Sequence, residues 1–157
     1  MSRAPDDLAR GCRQAQVIGG ALVAALATYA FVVEMVRTQK APFMGHAPTV
    51  PLPLLRLVLA VMSGLGLVFV NVVRRRIVAG RTVASSPGAA PIPLVQRLLT
   101  ASIVALAMCE AIAIYGLVLF LVGGQRLDFY GFAAFALLAF AAYFPRRSQW
   151  EAWAQQA

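Results

Sequence analysis

Read from the N-terminus, the chain alternates short polar stretches with apolar runs of membrane-spanning length. Residues 1–16 are polar, with Arg3, Arg10 and Arg13 beside Asp6 and Asp7. The run over 17–36, VIGGALVAALATYAFVVEMV, is long enough to cross a bilayer as a helix. A basic start before an apolar run also fits a signal peptide. The length of this run and the spans that follow instead favour an uncleaved first span. Pro42, Pro48, Pro51 and Pro53 break up the next linker. A second span over 54–73 then ends abruptly at Arg74, Arg75 and Arg76. The stretch 77–93 contains SSPGAAPIP and reads as a loop. The cleanest span, 98–122, stops at Gly123 and Gly124, and the tight turn GGQRLD leads to a short fourth span over 129–144. Beyond Pro145, Arg146 and Arg147, the spacing of Trp150 and Trp153 predicts an aromatic anchor at the membrane interface. The expected fold is therefore all-α, a single membrane domain of four transmembrane helices over residues 1–157.

Composition sharpens this reading. Of 157 residues, 61% are apolar and 13% charged, whereas soluble domains are nearer half and a quarter. That balance excludes a soluble enzyme, a disordered tail and a disulfide-stapled secreted domain. The net charge of +8 comes almost wholly from arginine, Lys40 being the one lysine. These cations cluster between the apolar runs, which reads as a topology signal with some lipid-headgroup contact and not as nucleic-acid binding. Ten lie in the two terminal segments and the linker between spans two and three. The opposite side carries four: Arg37, Lys40, Arg56 and Arg126. Both termini are therefore expected in the cytoplasm, with the protein in the plasma (inner) membrane.

The polar residues inside the spans carry the candidate chemistry. Glu110 falls about twelve residues into span three, roughly 18 Å along the helix and near the bilayer centre. A charge there costs at least ~2.5 kcal/mol, so the carboxyl is expected to hold its proton and marks a site by default. Ala107 and Ala113 flank it at helical spacing and leave room for a neighbouring helix. Tyr29 and Ser63 lie at comparable depth in spans one and two as its expected hydrogen-bond partners, and together the three form the ion-binding candidate. The plain structural alternative is a protonated glutamate that joins helices.

Glu34 and Arg56 lie near the outer ends of spans one and two and are expected to form a structural ion pair. The Gly64-Leu65-Gly66 step suits close helix packing or a slight bend, and without a preceding strand it is no nucleotide fingerprint. The two halves of the chain, each a span, an outer loop and a span ending in arginines, are compatible with a duplicated hairpin.

Other chemistry is sparse. Cys12 and Cys109 are too differently placed to pair, His46 is the single histidine, and no metal or cofactor is expected. There is no Ser/His/Asp set and no Walker loop, so no enzyme is expected.

The stretch from Met108 to Val118 resembles the carboxylate-bearing helix of the proteolipid c subunits of rotary ATP synthases, which commonly reads E-A-x-x-I-Y-G-L-V. The resemblance places the ion-carrying carboxylate at Glu110, with Ala111, Ile114, Tyr115, Gly116, Leu117 and Val118 matching the residues after it. Spans two and three would then correspond to the c hairpin. Span two has only Gly64 and Gly66 where the family carries a glycine repeat, and the loop lacks the family's Arg-Gln-Pro turn. The likeness is thus to a diverged, c-like four-helix bacterial membrane protein. Three functions follow as expectations: an accessory or assembly subunit of a larger membrane complex, a homo-oligomeric proton- or sodium-handling proteolipid, and a small transporter. The expected partners are the lipid bilayer and either other membrane subunits or further copies of this chain.

Overall fold

Leu8, Cys12 and Ala15 recur at helical spacing within the polar N-terminal segment, so that segment can bury one face as a helix. In the computed structural model, which describes residues 3–47, 50–78 and 93–156, it does so. Helix α1 runs unbroken over Arg3–Gln39, and its 37 residues make it about 55 Å long, well beyond a bilayer core. The tail expected before span one is thus the first part of the same helix. Helix α2 covers Leu52–Val78, α3 Leu94–Gly123, α4 Arg126–Tyr143 and α5 Arg147–Gln156. Four of them, α1 to α4, are long and apolar enough to cross a membrane. The chain is a multi-pass membrane protein built as a helix bundle. Of the loop expected over 77–93, Ile77 and Val78 belong instead to α2, which continues through its arginines; residues 79–92 lie outside the described residues.

Helix α3 is the central element. It packs against α4 along its length, against α2 on one flank and against α1 on the other. Contacts between α1 and α3 ascend together, from Gly11 beside Val95, through Gly19 beside Leu106, to Val33 in one core with Phe120. The two helices are therefore parallel, and α2 and α4 run antiparallel to them. Small residues set the α3–α4 seam: a Cβ on Gly116 would lie 2.6 Å from that of Phe132, and Ala113, Ala136 and Ala139 are buried around it. Close backbone approach of this kind supplies dispersion contacts where lipid offers no hydrophobic drive between helices.

The linker between α1 and α2 crosses the C-terminus of α3. The His46 and Ala47 amides donate to the carbonyls of Leu121 and Val122 at 2.9 and 3.3 Å, satisfying acceptors that the helix end leaves open. Gly124 caps α3 in the left-handed conformation, φ 72°, and its amide reaches Phe120 at 2.7 Å. A side chain there would collide with the Phe43 carbonyl, so the linker and the cap fit only around glycine. This crossing carries α2 to the far flank of α3. Spans one and two therefore form no packed hairpin, and the symmetry expected of a duplicated hairpin is absent from the packing.

At the opposite end, α5 folds back onto the start of the bundle. Trp150 is fully buried with Cys12, Ala15 and Leu98, against Gly11. The expected interfacial anchor is corrected at this residue, since the indole packs within the protein. Cys12 and Cys109 are both free and buried.

Candidate functional site

Three sides of α3 are covered by neighbouring helices, and the fourth is open. The open side carries Thr100, Ala107, Ile114 and Val118, all exposed. Glu110 lies one turn from both Ala107 and Ile114, at the edge where the open face meets the α1 flank. Across that edge the Tyr29 hydroxyl of α1 donates a 2.7 Å hydrogen bond to Glu110 Oε1. Both side chains are part-buried, and no partner is found for Glu110 Oε2 among the described residues. The next residue, Cys109, turns the other way and is buried in the α3–α4 core.

The remaining candidates separate. The Ser63 hydroxyl donates at 2.8 Å to the Leu59 carbonyl of its own helix, and the residue is buried on the α2 flank of α3. It does not meet Glu110, because equal depth fixes height and leaves the flank free. Ala113 is buried in the core, while Ala107 lies on the open face. Gly66 lets Met108 approach, its would-be Cβ lying 3.0 Å from the Met108 Cε, as close packing requires. Gly64 is corrected: it faces open space, with nothing within 4 Å of a Cβ placed there.

The ion pair expected between Glu34 and Arg56 is not made, because α1 and α2 stand on opposite flanks of α3. Arg56 Nε lies 2.9 Å from Asp128 Oδ1, and its Nη2 donates to Asp128 Oδ2 at 2.9 Å. A further bond joins Arg56 to Gln125. Glu34 instead accepts from Arg37 Nε at 3.0 Å and from the Tyr130 hydroxyl at 2.8 Å. Asp128 and Tyr130 escaped the sequence reading. The signal available for Asp128 was its place in the first turn of α4, where a carboxylate is favoured by the helix dipole.

Between α2 and α4, beside this pair, lies a largely apolar groove of about 290 Å³, lined by Ala60, Ser63, Gly131, Phe132 and Phe135 among others. No group of three or more His, Cys, Asp or Glu side chains that could hold a metal occurs among the described residues.

Chemically, the Glu110 site is a carboxyl with one oxygen fixed by a phenol, one turn from an uncovered apolar strip. In its neutral form it can offer one O–H donor to a group arriving on that strip. No family model matches the chain, and no curated protein or solved structure matches it.

Proposed function

We propose that this chain is a non-catalytic accessory or assembly subunit of a larger membrane complex, docking inside the bilayer through the open face of α3. The observation that supports this reading is Glu110: a carboxyl held on one side by Tyr29 and, among the described residues, left without a partner for Oε2, beside the exposed Ala107 and Ile114. An ionisable group at the lipid boundary is costly, and a second helix seated on the strip would both cover it and supply its missing hydrogen bond. The arginine distribution supports a plasma-membrane orientation with both termini cytoplasmic.

Native mass spectrometry of the protein extracted gently from its own membrane tests this. Stoichiometric foreign subunits are expected. Glu110→Leu is expected to lower their yield, and Glu110→Gln, which still donates and accepts, to preserve it. A bare monomer would overturn the reading.

A second reading is a homo-oligomeric, proteolipid-like subunit that handles protons or sodium around Glu110. The same carboxyl at the lip of an apolar face favours it, together with the c-like run through Val118. It predicts a homogeneous multimer, and loss of a pH-gradient-linked activity in Glu110→Gln with assembly intact.

A further inference from the structure

Arg56 and Arg74 stand eighteen residues apart on α2, five turns of helix, and so on the same face. At one end Arg56 is clasped by the Asp128 carboxylate. At the other, Arg74 meets only neutral groups among the described residues. Its guanidinium lies 4.5 Å from the Trp153 ring and 5.8 Å from the Tyr143 ring, and Nη2 reaches the Gln149 side chain at 3.3 Å. Its Nε is buried with no acceptor among the described residues, and the same holds for Arg97 Nε on α3. A buried donor without an acceptor costs about 1–3 kcal/mol, more when it belongs to a charged group.

The two arginines share one level. Gly66 of α2 touches Met108 of α3, and the helices are antiparallel. Counting from that contact, Arg74 and Arg97 lie about 12 and 16 Å toward the same end. Each borders an apolar run, so this is the level at which a bilayer presents its phosphates. Carboxylates are scarce here. Arg10 and Arg147 are matched by Asp7 and Glu151. Among the described residues Arg74, Arg75, Arg76 and Arg97 have no such partner.

We propose that Arg74 and Arg97 form a binding site for one phosphate-bearing anion, presented by an anionic phospholipid headgroup or by free phosphate. The phosphate oxygens accept from the Nη groups of the two guanidiniums, which lie beyond the buried Nε atoms. Trp153 and Tyr143 hold Arg74 in place from its ring-facing side.

The test is native mass spectrometry of the full chain in detergent, titrated separately with phosphatidylglycerol, phosphatidylcholine and inorganic phosphate. One phosphatidylglycerol is expected to bind about tenfold more tightly than phosphatidylcholine, and Arg74→Gln and Arg97→Gln each to remove that preference. Arg75→Gln, an equal loss of charge at an exposed position, is expected to keep it. Should Arg74→Gln not fold, Arg74→Lys, with a point charge in place of the planar fork, reads the same contrast. Competition by millimolar inorganic phosphate assigns the site to the free ion, and its failure assigns it to the headgroup. Equal binding of the two lipids without phosphate binding, or equal loss in Arg74→Gln and Arg75→Gln, would overturn the proposal.

Discussion

Tyr29 and Glu110, eighty-one residues apart, are joined by a 2.7 Å hydrogen bond across the seam of two parallel helices. The bond fixes one carboxyl oxygen of a residue that lies at the edge of the open α3 face. It ties the placement of α1 to the only acidic residue deep in a span.

Tyr29→Phe keeps the ring and removes the donor. We expect a loss of about 1 kcal/mol, the scale of interhelical hydrogen bonds in membranes. Reversible unfolding in mixed micelles measures it. A variant indistinguishable from the parent would show that the bond does not contribute to holding the seam.

Arg56 is expected to couple energetically to Asp128 and not to Glu34. The Arg56–Asp128 pair is part-buried, with the aspartate 14% exposed. Breaking it should cost between the ~1 kcal/mol of exposed pairs and the ~3–5 kcal/mol of buried ones. Double-mutant cycles with Arg56→Gln separate the two: a coupling with Asp128→Asn, and additivity with Glu34→Gln within about 0.5 kcal/mol.

Two glycines in spans should respond oppositely to a methyl group. Gly116→Ala drives a Cβ to 2.6 Å from that of Phe132 and should destabilise the α3–α4 seam by roughly 1–3 kcal/mol. Gly64→Ala meets nothing and should be neutral or stabilise by up to about 1 kcal/mol through helix propensity. Thermal denaturation in detergent ranks the pair.

Trp150→Ala should free the N-terminal part of α1 from α5. Trp150 is fully buried over Cys12, and its truncation removes about 3–5 kcal/mol of packing. Maleimide labelling of Cys12 should become fast in the variant, while Cys109, in the α3–α4 core, stays protected. Unchanged protection of Cys12 would show that α5 does not cover it.

The spans were legible because each is a long apolar run ended by arginine, proline or glycine, which is a one-dimensional signal. Which helix lies beside which was not, because sequence order gives no neighbour relation once a linker can cross a helix end. The glycine cap at Gly124 and the linker bonds to Leu121 and Val122 make that crossing, and they move Arg56 from Glu34 to Asp128. Depth likewise nominated Tyr29 and Ser63 equally as partners of Glu110. Only the flank on which each helix sits separates them, and that is a property of packing. The helical N-terminus was visible in the spacing of Leu8, Cys12 and Ala15, but its partner Trp150 lies at the other end of the chain.

The central claim is that another membrane protein covers the open face of α3 beside Glu110. A photoreactive amino acid placed at Ala107, with a second placement at Leu65 on the exposed side of α2 as comparison, tests it in intact membranes. The account predicts a discrete polypeptide adduct from position 107 that is lost in Glu110→Leu, and only lipid adducts from position 65. Lipid adducts alone from position 107 would contradict it.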